Sequence, residues 1–187
     1  MALLKAPVGR RWIAIAAIWL TVLARAAAEQ RTATAEDDIK AAFLFNFTQF
    51  VEWPPAADAQ EPFRICVVAD PEFGAALDRI VAGESVGQRP IARSAPASPD
   101  AARGCQILFI GRQDDGIERW LTAVKGLPVL VVGESRNAWS HGVHVNFIVE
   151  NNRVKFDVNN DNAVRAGLTI SSKLLRVART VTSRSTE

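Results

Sequence analysis

The sequence predicts an α/β fold: a single domain of three layers, α/β/α, around a mixed, mostly parallel sheet that ends in a hairpin and a helix. Three observations predict it. First, RICVVAD (64–70), CQILFIG (105–111) and LPVLVVGES (127–135) are short, bounded apolar runs rich in β-branched residues. Such runs read as strands buried on both faces. Second, amphipathic segments separate these runs, which implies parallel strands joined by helical crossovers. Third, HVNFIVENNRVKFDVN (144–159) alternates apolar and polar residues on either side of Glu150-Asn151-Asn152. That pattern is a β-hairpin, so the sheet is mixed.

The chain opens with Lys5, Arg10 and Arg11, an apolar run over residues 12–24, and the small residues Ala26 and Ala28. This is the layout of a secretory leader, with cleavage expected after Ala28. The run is short of the roughly 20 residues of a membrane span, with an uncleaved anchor as the alternative. The full chain has 22 Lys and Arg against 20 Asp and Glu; the four basic residues in 1–28 leave 18, a formal net charge of −2. A mildly acidic mature protein offers no general electrostatic attraction to nucleic acid. Residues 29–187 suffice for one domain with its own core.

Residues 29–35 are polar and expected to be flexible, and the folded domain is expected over 36–181. EDDIKAAFLFNFTQFVEW (36–53) reads as a helix with acidic residues in its first turn, stopped by Pro54-Pro55. At helical spacing Ile39, Phe43, Phe47, Phe50 and Trp53 form one apolar stripe, with Leu44 and Val51 at its margin. Phe45 points instead toward the side of Ala41, Thr48 and Glu52, which makes it a candidate partner contact. The first buried strand is followed by a helix over 71–83, with Pro71 near its start and Gly83 past its end. RPIARSA (89–95) reads as a short edge strand, because Pro90 limits pairing. DDGIERWLTAVKG (114–126) is a further helix between the second and third buried strands.

After the hairpin a last helix is expected from Asn160-Asp161 to about Arg179, with residues 182–187 as a disordered tail. On this reading Arg165, Ser172, Arg176 and Arg179 share one side, with Lys173 at its edge. Opposite lies a broad apolar arc that includes Val164, Leu168, Ile170, Leu174 and Val177, wider than one sheet face needs. The arc is expected to pack partly against another polypeptide.

No pattern for catalysis stands out. His141 and His144 form HxxH, two ligands where a zinc site needs three or four. Asp70, Glu72, Asp114 and Asp115 lie beyond the carboxyl ends of two buried strands, where ligands often bind in open α/β sheets. No glycine-rich phosphate loop and no Ser/His/Asp or Cys/His set accompanies them. The expectation is a protein that is not an enzyme, with no cofactor and no metal. Cys66 and Cys105 are the only cysteines. In an exported chain they read as a disulfide, with two buried thiols as the alternative.

The combination of IKAAFLFNFTQFVEWP, RICVVAD, GCQILFIG, VNFIVENNRVKFDVN and AGLTISSKLLRVART resembles the YfiR family over roughly residues 36–181. The resemblance implies a periplasmic repressor. Such a protein binds the periplasmic sensing domain of an inner-membrane diguanylate cyclase and holds it inactive, and its release raises cyclic di-GMP and favours biofilm formation. It also implies an α/β fold that forms a homodimer, redox sensitivity, and a disulfide at the positions of Cys66 and Cys105. Some relatives carry a second cysteine pair near the hairpin, which this chain lacks. By region, Phe147, Phe156, Ile170 and Leu174 are expected to touch the cyclase, with Phe45 as a further contact. No nucleic-acid partner and no stable membrane insertion after leader removal are expected. The alternative is a periplasmic small-molecule sensor that binds near Asp70 and Gly111.

Overall fold

The computed structural model describes residues 35–55 and 61–183. The expected leader, nearly all of the polar segment after it, and residues 184–187 lie outside that range. The chain divides into residues 1–36 and 37–187, and the sheet belongs to the second unit.

Helix α1 (residues 35–50) runs directly into β1 (Val51–Glu52). Then come β2 (Phe63–Val68), α2 (Pro71–Val81), β3 (Ser85–Val86), β4 (Arg89–Ser94) and a 3-10 turn (Pro99–Gly104). The middle of the chain supplies β5 (Ile107–Ile110), α3 (Ile117–Ala123), β6 (Leu130–Gly133) and α4 (Arg136–Ser140). The hairpin is β7 (Val145–Glu150) and β8 (Arg153–Asn159), followed by α5 (Asn160–Arg165), β9 (Thr169–Ile170), α6 (Ser172–Val177) and β10 (Thr180–Thr182).

Eight strands form one sheet in the order β10-β8-β7-β6-β5-β2-β4-β3. All neighbours are parallel except β7–β8 and β3–β4. Successive side chains of a strand point to opposite faces. Ile65, Val67, Ile107, Phe109, Leu130 and Val132 therefore join α1 and α2 in one core, while Cys66, Val68, Leu108, Ile110 and Val131 join α3 and α4 in the other. This is the expected three-layer arrangement. The hairpin turn is Asn151-Asn152, both with positive φ, 52° and 58°. A two-residue turn of that kind matches the right-handed twist of its strands.

Three expectations are corrected. RPIARSA forms β4, but it is not the edge: the short β3 lies outside it, with Ser85 opposite Pro90. The buried side of α1 is centred on Ala41, Leu44, Phe47 and Thr48, and Ile39 is 48% exposed. The helix also stops at Phe50, because Val51 and Glu52 pair antiparallel with Ile170 and Thr169.

The largest correction concerns the last helix. It is not continuous. Gly167 takes φ +77° and turns the chain out of α5, a conformation glycine adopts without a Cβ penalty. Residues 169–170 then run extended beside β1, and the Ser171 N–H donates to the Phe50 carbonyl at 2.8 Å. The Ser171 side chain caps α6 by accepting from the Lys173 N–H. The broad apolar arc is thus divided among α5, the turn at Gly167, β9 and α6, which send Ala163, Leu168, Ile170 and Leu174 respectively into the first core.

Candidate functional site

Two regions carry the chemistry singled out in the sequence: the C-terminal elements, and the crevice at the carboxyl ends of β2, β5 and β6.

In the first region the structure sorts the expected partner contacts into core and surface. Phe147 and Phe156 sit opposite each other across β7 and β8, each 2% exposed. Their rings meet Phe43 and Phe47 of α1 at centroid distances of 5.3–6.2 Å. Full burial of such a ring contributes roughly 2–3 kcal/mol. Ile170 and Leu174 are 7% and 4% exposed and belong to the same core. Phe45 is half-buried and packs against that core, because its side of α1, with Ala41 and Thr48, faces inward. These five side chains build the domain, and four of them present almost no surface in the folded chain. What the region does expose is Val164, Val177 and Val181, together with the cations Arg165, Lys173 and Arg176. Among the described residues no carboxylate pairs with Lys173 or Arg176. Arg179, by contrast, is held: its guanidinium donates to both Asp157 oxygens, at 2.9 and 2.6 Å, and fixes the start of β10 to β8.

The second region follows from topology. β4 lies on one side of β2 and β5 on the other, so the winding reverses there and a crevice opens at their carboxyl ends. The strand ends approach closely: a Cβ on Gly111 would sit 2.8 Å from that of Asp70. Asp70 caps α2 by accepting from the Phe73 N–H, and burial with the nearby Glu134 carboxylate raises its pKa. Glu134 follows β6 and is the centre of the cluster. It accepts from the Lys40 ammonium of α1 at 2.6 Å and from the backbone and guanidinium of Arg112, both at 3.1 Å. Burial alone would raise its pKa, but these donors outweigh burial and hold it low. Asp114 is a structural cap: it accepts from the Gly116 N–H, the Arg119 guanidinium and the Trp120 indole. Glu72 and Asp115 are exposed on the surface. Next to Glu134 a cleft of about 760 Å³ opens between α4 and the polar face of the hairpin, with Arg136, Trp139, Asn146, Ile148 and Asp157 in its walls.

The HxxH histidines part company. His141 is exposed, whereas His144 is buried and its Nδ1 accepts from the Val131 N–H at 2.9 Å. Among the described residues no three His, Cys, Asp or Glu side chains converge to hold a metal ion. Cys66 and Cys105 form a disulfide, with Cα atoms 5.9 Å apart, in the second core. Lys40 was missed by sequence reasoning. Its only signal was a cation on the flank of a phenylalanine-rich helix, and its partner lies 94 residues away.

A family model described as YfiR/HmsC-like matches residues 37–179, which span α1 to the residue before β10. The chain belongs to the YfiR/HmsC-like family. Members of the YfiR/HmsC-like family are periplasmic, non-catalytic regulators of cyclic di-GMP signalling. The crystal structure of a conserved domain protein from Vibrio cholerae O1 biovar eltor str. N16961 is similar at 12% identity, with a TM-score of 0.48. The match covers 64% of this chain and 54% of that one, so the chain spans about half of that protein's length. Among the described residues no helix is long and apolar enough to cross a membrane.

Proposed function

We propose that this YfiR/HmsC-like chain binds the periplasmic domain of an inner-membrane diguanylate cyclase and thereby lowers cyclic di-GMP synthesis. The family match across residues 37–179 carries the reading. The mature protein begins at Glu29, after removal of the leader, and acts as a homodimer. The test has two parts. Production of the full chain in cells should lower a cyclic di-GMP reporter only when a periplasmic-domain cyclase is present. The mature chain should also capture that cyclase's periplasmic domain in vitro. A reporter that falls equally in a strain without such cyclases would refute the reading. Mass spectrometry of the exported protein checks the start at Glu29, and light scattering checks the dimer.

The cleft beside Glu134 favours a second reading, in which the same chain senses a small molecule. Its walls combine an exposed arginine, Arg136, with the half-buried indole of Trp139. A panel of periplasmic metabolites that leaves the melting temperature unchanged would remove this reading.

A further inference from the structure

We propose that the outer edge of β10 is the docking surface for the cyclase, which adds an acidic segment there as a further strand. The inference rests on the regulatory reading above and names the surface that would carry it.

Three observations converge on this edge. β10 ends the eight-stranded sheet and pairs only with β8, so its outer side has no strand partner among the described residues. An open edge offers backbone N–H and C=O groups at the spacing of a strand, the template on which added strands form. The edge is also held in place rather than loose. Arg179 grips Asp157 with two hydrogen bonds and donates its backbone N–H to the Phe156 carbonyl at 2.8 Å.

Charge supplies the second observation. Residues 160–183 carry Arg165, Lys173, Arg176 and Arg179 against the one carboxylate Asp161, in a mature chain whose net charge is −2. With Arg179 engaged by Asp157, the exposed Arg165 on α5 and Lys173 and Arg176 on α6 give the segment that leads into β10 a basic character. A partner segment of opposite sign complements it.

The third observation is apolar exposure. Val177 is 69%, Val164 59% and Val181 36% exposed, three of the five large hydrophobic residues left open among the described residues. They lie on α6, α5 and β10, and α5 packs beside β10. Val181 pairs in register with the buried Val158, so it extends the first core to the rim of the sheet. A strand of alternating acidic and aliphatic residues satisfies all three features at once. Anionic lipid headgroups would satisfy the cations but have no use for a strand edge, so the polypeptide is favoured.

The experiment uses the mature chain and the individually expressed periplasmic domains of membrane diguanylate cyclases from the same cell. Binding is measured at low and high salt for wild type, for Arg176→Glu/Val177→Asp and for Val181→Asp. All three substituted side chains are exposed, so melting temperatures should match wild type and serve as the control for folding. The expected result is capture by wild type, a loss of about tenfold or more in each variant, and salt sensitivity that shrinks in the Arg176→Glu/Val177→Asp variant. Hydrogen exchange at residues 180–182 should slow on binding. If wild type captures no cyclase, the regulatory reading fails and this inference with it. If wild type and both variants capture equally, cyclase binding stands and the β10 surface is wrong. Variants that alter only self-association, or only adsorption to phosphatidylglycerol vesicles, also overturn it, in favour of a second copy or a membrane.

Discussion

Lys40 and Glu134 meet at 2.6 Å with side chains only 2% and 3% exposed, so one ion pair joins the first helix to the carboxyl end of β6. Removing one member of a buried pair is costly because the other is left charged and unpaired. The two members differ, however. Without Lys40, Glu134 keeps the two hydrogen bonds from Arg112. Without Glu134, Lys40 retains Asp37 at 3.9 Å. We expect Glu134→Ala to destabilise by roughly 3–5 kcal/mol and Lys40→Ala by distinctly less. Urea denaturation of the two variants checks the order, and an equal or reversed loss would contradict it.

His144 makes stability depend on acid. Burial pushes its pKa from 6.5 down to about 4. The folded state therefore holds the imidazole neutral while the unfolded chain protonates near 6.5. The contribution is fully present above pH 6.5 and is lost as the pH falls toward 4. Over that window the loss amounts to roughly 3 kcal/mol. Glu134, whose pKa is lowered by its donors, adds a further loss below its ordinary 4.5. Melting temperatures recorded from pH 7 to pH 4 should fall, and His144→Asn should flatten the upper part of that fall.

The Cys66–Cys105 bond closes a loop of 39 residues between two adjacent parts of the second core. In the chain-entropy model this stabilises by roughly 4 kcal/mol, or about 10 °C for a domain of this size. Reductant should lower the melting temperature by that order. A Cys66→Ala/Cys105→Ala variant should start low and ignore reductant.

Gly167 tests the break in the C-terminal segment. A Cβ there would approach nothing nearer than the Pro54 side chain at 3.9 Å, so space is not the obstacle. The backbone is: at φ +77° an L-residue costs roughly 1–2 kcal/mol. Gly167→Ala should lose about that much, Gly167→Val more, and Gly167→Asn less. A neutral or stabilising Gly167→Ala would instead favour a continuous helix.

Much of the sheet was legible because its strands carry their own signal. RICVVAD, CQILFIG and LPVLVVGES are too β-branched and too short for helices, and Asn151-Asn152 announces its hairpin turn. The C-terminal elements were not legible, for a physical reason. Leu168, Ile170 and Leu174 fall at helical spacing, yet the backbone between them is set by pairing with Val51 and Glu52. A two-residue strand whose partner is another two-residue strand leaves almost no local pattern. The same error displaced the expected partner contacts. An apolar arc on one long helix has an uncovered side, whereas three short elements turn the same residues inward and leave Val164, Val177 and Val181 outside. The crevice was half legible: Asp70 and Gly111 were placed by their strands, but the Lys40–Glu134 pair spans a distance along the chain that no window of sequence reveals.

The short ladder between Val51 and Ile170 sets when this protein can finish folding. A ribosome delivers the amino end first, so α1 emerges long before the segments that cover it. Phe43 and Phe47 find Phe147 and Phe156 only after a hundred further residues have followed. Until then the aromatic side of α1 lacks the strands that cover it, so truncation before residue 170 should yield not a smaller domain but an aggregate.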